Sequence, residues 1–311
     1  MIKSIAEKIR QNIQKVIVGK DQSINFVLTA LICNGHILLE DVPGTGKTLL
    51  VKSLAASLDC SFRRIQFTPD LLPSDITGIR WFNPKDQNFQ TQQGPIFSQV
   101  VLADEINRAT PRTQSALLEA MQEQQVTIDG LTYTLDKPFI VIATQNPIEL
   151  EGTFPLPEAQ LDRFLMKINM DYPLAEEEDA ILLRFYQKNP LEDLQAICSP
   201  ADILALQQAR KKILVDDSLR DYIIRIARKT RTHEDIQLGA SPRASLAMLQ
   251  CAQAYAGIQG REYVIPDDIK SLAPSILLHR LIISPQAQLR GRGPKQLIED
   301  IINAVPVPVE S

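Results

Sequence analysis

The chain has 311 residues, of which 44% are hydrophobic, enough for two domains that each bury a core. Its 33 basic and 37 acidic residues give a formal charge of −4, which argues against a broad binding surface for nucleic acid. The cysteines and histidines have no ligand-like spacing, so we expect them to form no metal site, and we expect a reducing, cytoplasmic environment. We also expect no secretory signal and no membrane span, because every apolar run is too short.

Apolar residues near the N-terminus recur at helical spacing. Ile5, Ile9, Ile13 and Val16 fall on one face, which predicts an N-terminal helix packed against the core. The segment that follows, residues 16–19, is predicted to form an apolar turn. Core packing explains this turn as well as contact with a ligand does, so the residues alone leave its role open.

A glycine-rich segment comes next in the chain. Residues 36–39 predict a strand, residues 41–48 read Asp-Val-Pro-Gly-Thr-Gly-Lys-Thr, and residues 49–58 predict a helix. This order of strand, glycine-rich loop and helix is the context that a phosphate-binding loop requires. The general pattern of such loops has glycine where this chain has Asp41, so a chance glycine-rich turn is the alternative.

Four residues of this loop have properties that suit a bound phosphate. Gly44 and Gly46 would let the backbone turn with its N–H groups toward phosphate oxygens. Lys47 would supply positive charge to the β- and γ-phosphates, and the Thr48 hydroxyl would ligate Mg²⁺. The positive N-terminal end of the helix adds to the attraction. The loop therefore predicts a nucleotide that binds with Mg²⁺.

Two segments look like insertions in the nucleotide-binding part of the chain. The first lies near 78–97, after a second predicted strand at 62–66, and is polar in its middle. The second lies near 125–135, where Asp-Gly separates two alternating stretches, a strong signal for a hairpin. A solvated hairpin without a partner is the alternative to a functional one.

A short apolar run at residues 100–105 ends in two acidic residues. It predicts a buried parallel strand with carboxylates at its C-terminal end, the edge where open α/β sheets bind ligands. Asp104 would hold Mg²⁺, mostly through water, and Glu105 would orient and polarise an attacking water molecule. For such a motif in isolation, a solvated strand end is the commoner interpretation.

A third apolar strand is predicted at residues 139–144, and Asn146 follows it. In register with the two other strand ends, the Asn146 amide would lie beside the acids and hold the water or contact the γ-phosphate. Asn146-Pro147 is otherwise ordinary turn chemistry.

Arg163 lies past this strand, at the far end of the predicted nucleotide-binding part. It is poorly placed for its own nucleotide and well placed for that of a neighbouring subunit, where arginine would stabilise charge on a transferring phosphoryl group. A surface salt bridge with Asp162 or Glu158 is an equally good interpretation of the local sequence.

Helical spacing dominates after Pro173, and several prolines punctuate it at predicted boundaries. We therefore predict two domains, residues 1–172 and 173–311, the second a helical lid. Arg243 opens one lid helix, where it would reach over phosphate or, alternatively, face solvent. The predicted lid helices are 174–188, 201–213, 217–231, 242–258, 266–279 and 294–304.

Several segments together give the chain a specific family resemblance. In order and spacing they cover nearly the whole chain, and the chain resembles the MoxR family of AAA+ ATPases. Aspartate is common in that family at the position of Asp41. The matching segments are 39–48, 94–97 (Gly-Pro-Ile-Phe), 102–109 (Leu-Ala-Asp-Glu-Ile-Asn-Arg-Ala), 114–123, 143–147 (Ala-Thr-Gln-Asn-Pro), 155–164 (Pro-Leu-Pro-Glu-Ala-Gln-Leu-Asp-Arg-Phe) and 241–244 (Ser-Pro-Arg-Ala).

The resemblance implies an α/β AAA+ P-loop fold with a parallel sheet and an all-helical lid, binding ATP and Mg²⁺. Lys47 and Thr48 would form the Walker A site, with Asp104 and Glu105 as Walker B. The other implied roles are sensor 1 for Asn146, arginine finger for Arg163 and sensor 2 for Arg243. The remaining implied nucleotide contacts are Val18, Gly19, Pro43, Gly44, Thr45, Gly46 and Leu49.

The same resemblance implies a biological role. Members of the family are linked to chaperone-like maturation of protein complexes, often with cofactor or metal insertion, and with partners that contain a von Willebrand factor A domain. We therefore expect a hexameric ring acting on a protein client, with the two insertions facing the pore or one face of the ring. A nucleic-acid motor of a related AAA+ branch is the alternative, although the acidic balance of the chain argues against it. A scaffold that binds ATP without hydrolysing it is a third possibility. The presence of Glu105, Asn146 and Arg163 argues against it.

Overall fold

The three-dimensional structure is a computed structural model that describes residues 1–40, 44–146, 152–186 and 188–308. Asp41 and Pro43 therefore lie outside the described residues. The strands are β1 (Ile37–Glu40), β2 (Phe62–Gln66), β3 (Gly78–Asn83), β4 (Asn88–Gln93), β5 (Val100–Asp104), β6 (Gln125–Ile128), β7 (Leu131–Thr134), β8 (Ile140–Gln145), β9 (Met166–Ile168), β10 (Ile236–Leu238) and β11 (Ile282–Ile283). The α-helices are α1 (Ile2–Gln14), α2 (Asp21–Ile32), α3 (Lys47–Ser57), α4 (Pro73–Thr77), α5 (Pro111–Glu123), α6 (Glu158–Leu161), α7 (Ala175–Phe185), α8 (Pro200–Arg210), α9 (Asp217–Thr232), α10 (Pro242–Gln259), α11 (Pro266–Leu277), α12 (Pro285–Leu289) and α13 (Pro294–Ala304).

A five-stranded sheet forms the centre of the first half of the chain. Its order is β2-β5-β8-β1-β9, and every neighbouring pair is parallel. The carboxyl ends of β1, β5 and β8 therefore lie side by side at one edge. This arrangement confirms the predicted parallel α/β core and brings the predicted site strands together.

Alternate residues of the central strands enter two different hydrophobic cores. Ile37 and Leu39 of β1 face a core shared with α1, α2, α3 and the lid helices, whereas Leu38 faces a core shared with α5 and the second hairpin. Both faces of the sheet are thus covered by helices. This explains why the strands read as continuous apolar runs rather than as alternating patterns.

The N-terminal helices pack on the first of these cores. Ile9 and Ile13 of α1 are buried as predicted, whereas Ile5 is only partly buried and Ile2 takes part in the core instead. We did not predict α2, because nine of its residues are buried around the whole helix and leave no amphipathic period to detect.

Both insertions contain antiparallel hairpins, β3–β4 and β6–β7. Asp129 and Gly130 have φ values of 47° and 78°, which are the positive angles that a two-residue primed turn requires. The hairpins touch each other, since the Thr91 hydroxyl lies 2.8 Å from the Tyr133 hydroxyl. The two insertions therefore form one structural unit beside the sheet.

The second half of the chain is the predicted helical lid. Its helices α7 to α11 and α13 correspond to the six predicted helices, with boundaries that differ by no more than three residues. The lid also contains the short helix α12 and an antiparallel ribbon of β10 with β11, which we did not predict because three and two residues are too few to show a period. Within the described ranges, none of the helices combines the length and hydrophobicity needed to cross a membrane.

His36 joins three elements immediately before β1. Its Nε2 lies 3.0 Å from the Met121 carbonyl oxygen, and its Nδ1 accepts a hydrogen bond of 3.0 Å from the backbone N–H of Val141. The ring is therefore a neutral tautomer that carries its proton on Nε2. Burial lowers the pKa of His36 to about 4, because the charged form would lose its hydration.

We predict that lowering the pH from 6.5 to 4 reduces the free energy of unfolding by about 3 kcal/mol through His36. In this interval the unfolded chain binds a proton at this histidine, whereas the folded chain does not until about pH 4. Urea unfolding at a series of pH values measures the slope. The His36→Gln variant removes the titration of His36 and keeps that of buried His279, so the unfolding free energy should depend less steeply on pH. An unchanged pH dependence in that variant would contradict the assignment to His36.

Candidate functional site

The glycine-rich loop leads directly into α3. Gly44 and Gly46 have φ values of 87° and 88°, a left-handed conformation that side chains disfavour, and Gly46 caps the N-terminus of the helix. A Cβ atom built on either glycine meets no other atom within 4 Å, so the loop borders open space. The loop therefore has the backbone shape and the room that an anion requires at a helix N-terminus.

The loop forms one wall of a cleft of about 430 Å³. Asp104 and Glu105 from the end of β5, together with Asn146 after β8, line the same cleft. The structure thus brings together most of the residues predicted for nucleotide, metal and catalysis. The residues lining the cleft are Gly44, Gly46, Lys47, Thr48, Leu49, Arg64, Asp104, Glu105, Thr144, Gln145 and Asn146.

Thr144 positions both acidic residues. Its hydroxyl donates a hydrogen bond of 2.6 Å to Oδ1 of Asp104 and accepts one of 2.8 Å from the backbone N–H of Glu105. Only 2% of Thr144 is exposed, so this hydroxyl is a rigid anchor. The arrangement depends on the parallel pairing of β5 with β8, which brings the ends of the two strands together.

Glu105 has a left-handed backbone, with φ 57° and ψ 50°. This conformation is uncommon for a residue with a side chain and is concentrated at functional sites. The Glu105 carboxylate accepts a hydrogen bond of 2.8 Å from Gln66 and lies 3.3 Å from Nε of Arg108. The turn ends β5 and lets Asp104 and Glu105 face the cleft together.

Asn146 lines the cleft and is largely buried, with 8% of its surface exposed. Gln145 lies beside it in the wall, at the end of β8. An amide at this position can donate or accept a hydrogen bond within the cleft. The placement agrees with the predicted proximity of Asn146 to the two acids.

A second, mostly apolar cavity of about 270 Å³ lies on the other side of the loop. Val18 and Thr45 line it, as do Ile181 and Phe185 of α7. The segment 16–18 therefore lines one cavity together with the glycine-rich loop and lid helix α7. The lining residues are Val16, Ile17, Val18, Lys20, Gly44, Thr45, Gly46, Leu49, Pro173, Ile181 and Phe185.

Gly19 does not line this cavity and instead packs closely against Glu177 of α7. Its φ is 68°, and a Cβ atom at this position would lie 1.9 Å from the Glu177 carboxylate. Glu177 also accepts a hydrogen bond from the backbone N–H of Leu174 and so caps α7. Glycine at position 19 therefore allows the 16–19 segment to lie against the first turn of α7.

Arg163 lies in the turn between α6 and β9 and lines neither cavity among the described residues. The guanidinium is partly exposed and forms no hydrogen bond or ion pair within the part of the chain that the structure describes. The salt bridge with Asp162 or Glu158 that we considered is therefore not observed there.

Asp162 pairs with Arg280 of the lid instead. Nε of Arg280 donates a hydrogen bond of 2.7 Å to Oδ1 of Asp162. The same guanidinium donates to the carbonyl oxygens of Phe164 at 2.7 Å and Leu165 at 3.1 Å, and also to that of Ile276. Arg280 is only 6% exposed, and burial lowers its pKa. A buried lid arginine therefore holds the turn that carries Arg163.

Arg243 lies at the start of α10, near the other side of Asp162. Its Nη1 is 3.9 Å from Oδ2 of Asp162, and 51% of its side chain is exposed. The Ser241 hydroxyl donates a hydrogen bond of 3.2 Å to the same oxygen. Among the described residues, Arg243 does not line the cleft beside the glycine-rich loop, and its predicted contact with phosphate would require the side chain or the lid to move.

Sequence reasoning missed four residues that shape this site: Thr144, Arg64, Gln66 and Arg280. Arg64 and Gln66 alternate at the end of the predicted strand β2, a signal that could have placed both on one face at the ligand-binding edge. Arg280 gave no such signal, because its partner Asp162 is 118 residues away in the sequence.

A glycine loop at a helix N-terminus, facing acids at the ends of parallel strands, is the arrangement of P-loop nucleotide-binding proteins. Comparisons with known proteins agree with this class. The profile of the ATPase family associated with various cellular activities (AAA) matches residues 36–166, and the AAA lid domain profile matches residues 228–301.

Curated relatives are similar over almost the whole chain. The uncharacterized protein YeaC of Bacillus subtilis is 51% identical, covering 96% of this chain and 94% of that protein. Chaperone MoxR1 of Mycobacterium tuberculosis is 44% identical, covering 95% of this chain and 80% of that protein. A crystal structure from Cytophaga hutchinsonii, described there as a candidate ATPase, superimposes with a TM-score of 0.92 at 43% identity, covering 99% of this chain and 96% of that one. The chain belongs to the MoxR family of AAA+ ATPases.

We predict that the two arginines near Asp162 differ in their contribution to stability. Arg280→Met should lower the free energy of unfolding by about 3–5 kcal/mol, because it leaves a carboxylate and several carbonyl oxygens without their buried partner. Arg243→Ala should cost less than about 1 kcal/mol, because its ion pair is long and half-exposed. Guanidinium unfolding of both variants measures the difference, and equal costs would contradict this account.

Proposed function

We propose that the protein binds ATP in the cleft beside the 44–48 loop and hydrolyses it with Mg²⁺. The observation that carries the proposal is the meeting of Lys47 and Thr48 with Asp104, Glu105 and Asn146 in one cleft. The apolar cavity on the other side of the loop supports it, since that cavity offers a surface for the adenine ring. Membership of an ATPase family supports the same reaction.

The residues of the cleft suit the nucleotide and the metal. The loop N–H groups and Lys47 would bind the phosphates, and the space beyond Gly44 and Gly46 leaves room for them. The Thr48 hydroxyl and Asp104, the latter through water, would hold Mg²⁺, whose oxygen preference this donor set matches. Mg²⁺ bound there would neutralise charge on the phosphate oxygens.

Glu105 and Asn146 would act on the attacking water. Glu105 would accept its proton or orient it, since the carboxylate faces the cleft at the end of β5. Asn146 would hold the water or contact the γ-phosphate through its amide. In phosphoryl transfer the protein mainly positions groups and stabilises charge, and both side chains suit that task.

We predict that two substitutions separate binding from hydrolysis. Lys47→Ala should weaken ATP binding by about tenfold or more, because a charge-assisted contact with phosphate is lost. Glu105→Gln should retain binding and lose about 10²–10⁴-fold in turnover, because only activation of water is removed. Equilibrium binding and phosphate release measure the two effects. Normal turnover of the Glu105→Gln protein would disprove the role of Glu105.

We also propose that the active form is a ring of six subunits, in which Arg163 reaches the ATP of a neighbouring subunit. The support is that Arg163 is partly exposed and outside both cavities of its own chain. The contacts of Arg280 with Asp162, Phe164 and Leu165 hold the backbone of this turn. A partly exposed arginine on a turn held by other contacts suits a catalytic group supplied to a partner.

We predict that inactive subunits complement each other. Arg163→Ala alone should lose about 10³–10⁵-fold in rate, as expected for an arginine finger. Mixing Arg163→Ala subunits with Lys47→Ala subunits should restore part of the ATPase activity. At some interfaces the intact arginine of one subunit then meets the intact nucleotide site of the other.

The mixing experiment has a built-in control. Size-exclusion chromatography of the mixture shows whether the two variants assemble together, and mixing Lys47→Ala with Glu105→Gln subunits tests a pair that share an intact Arg163 but each lack a functional nucleotide site. The latter mixture should stay inactive. If the Arg163→Ala mixture also stays inactive despite joint assembly, Arg163 is not a finger supplied to the neighbour.

We propose that ATP hydrolysis drives chaperone-like remodelling of a partner protein that carries a von Willebrand factor A domain. The name of the relative MoxR1, a chaperone, supports this. So do the exposed aromatic side chains of the first hairpin, which offer contact area to a protein client. In this proposal residues 173–311 act as the lid domain on residues 1–172, and Arg243 would exchange Asp162 for the phosphates. The exposed aromatic residues of the hairpin are Trp81, Phe82 and Phe89.

A nucleic-acid motor, the alternative function, has less support. The formal charge of the chain is −4, and the hairpin of residues 125–135 contains no lysine or arginine that could contact a phosphate backbone. Tight DNA binding with a steep dependence on salt would reverse this preference.

A further inference from the structure

Arg64 contacts the acidic residue that the proposed function assigns to the metal. Its Nε and Nη2 lie 2.9 Å and 2.6 Å from Oδ2 of Asp104. Arg64 lines the phosphate cleft, and its side chain is 48% exposed, whereas that of Asp104 is 14% exposed. A cation of the protein therefore already neutralises this carboxylate within the cleft.

The two oxygens of Asp104 have different partners. Oδ1 accepts the hydrogen bond from the buried Thr144 hydroxyl, which fixes the orientation of the carboxylate. Oδ2 is the oxygen that Arg64 contacts with two nitrogens. Because Oδ1 is already bound by a buried hydroxyl, Oδ2 is the oxygen that would remain for a metal or for a water molecule of its shell. Arg64 and Mg²⁺ therefore compete for one position, because two cations in that space would repel each other.

The second acidic residue is linked to the same arginine. Nη2 of Arg64 lies 2.6 Å from Oε1 of Gln66, and Nε2 of Gln66 donates a hydrogen bond of 2.8 Å to Glu105. Arg64 and Gln66 are two residues apart on β2, so they project from the same face of the strand. Movement of Arg64 away from Asp104 would therefore also disturb the contact that holds Glu105.

We propose that Arg64 is a positioning residue that occupies the metal side of Asp104 until Mg²⁺ and ATP bind, and that the metal then displaces it. This inference rests on the proposed function of the cleft. Before displacement, Arg64 reduces the repulsion between Asp104 and the phosphates. After displacement, Asp104 is available to the metal, and the link through Gln66 to Glu105 is released. The exchange couples metal binding to the arrangement of both acids.

The proposal predicts effects of opposite sign in one substitution. Arg64→Gln should weaken ATP binding without metal by about 2–5-fold, because Asp104 then repels the phosphates unscreened. The same change should tighten ATP binding at saturating Mg²⁺ by about 2–5-fold, because the metal no longer displaces an ion pair. The ratio of the dissociation constant in EDTA to that in Mg²⁺ should therefore rise.

The chain offers a matched control on the same strand. Arg63 is the adjacent residue of β2, is also exposed and does not line the cleft, and strand alternation places it on the opposite face. Arg63→Gln removes the same charge, so it should shift both dissociation constants together and leave their ratio unchanged. Arg64→Lys should lie between the wild type and Arg64→Gln, because it keeps the charge but loses the paired nitrogens.

The experiment is an equilibrium titration of the full chain with a fluorescent, non-hydrolysable ATP analogue, in EDTA and in saturating MgCl₂. A higher ratio in Arg64→Gln and an unchanged ratio in Arg63→Gln support the proposal. An unchanged or lower ratio in Arg64→Gln, with a wild type that binds the analogue and responds to Mg²⁺, overturns the proposal and leaves the proposed function intact. If the wild type does not bind the analogue or does not respond to Mg²⁺, both the proposed function and this inference fall.

Discussion

Parallel pairing of β5 with β8 is the constraint on which the candidate site depends. The register that pairs Ala103 with Ala143 brings the ends of the two strands together, where the Thr144 hydroxyl contacts Asp104 and the backbone of Glu105. The same sheet places β1 next to β8, so the glycine-rich loop of residues 44–48 lines the same cleft as these acids. A change in register of one residue would direct every one of these side chains to the other face.

The lid takes part in the same structure through two kinds of contact. Lid helices share a continuous hydrophobic core with α1, α2, α3 and one face of the sheet. Arg280 adds a polar junction, since it binds Asp162 and the carbonyl oxygens beside Arg163, while Arg243 and Ser241 approach the other oxygen of Asp162. One carboxylate thus lies between the start of α10, the turn after α11 and the turn that carries Arg163, which we propose as the finger. Any movement of the lid relative to this turn would have to change the contacts of Asp162.

Much of the fold could be predicted from the sequence, because its signals are local. The strands are short apolar runs, Asp129-Gly130 selects a hairpin turn, and prolines mark the starts of lid helices. Helix α2 was missed because it is apolar on all sides, and the ribbon of β10 with β11 was missed because it is too short to have a period. Each failure thus occurs where burial or pairing with a distant segment, rather than local pattern, defines the element.

Prediction of the candidate site from the sequence was limited in the same way. The sequence by itself determined the family and the candidate residues of the glycine-rich loop, the two acids and Asn146, because each motif is a contiguous run whose chemistry can be read without partners. Only the tertiary structure decided what these groups touch. It placed Arg64 on Asp104 and Gln66 on Glu105, and it paired Asp162 with Arg280 rather than with Arg163. These pairs join residues 39 to 118 positions apart. The distance between such side chains is set by sheet order and core packing, which no single segment of the sequence determines.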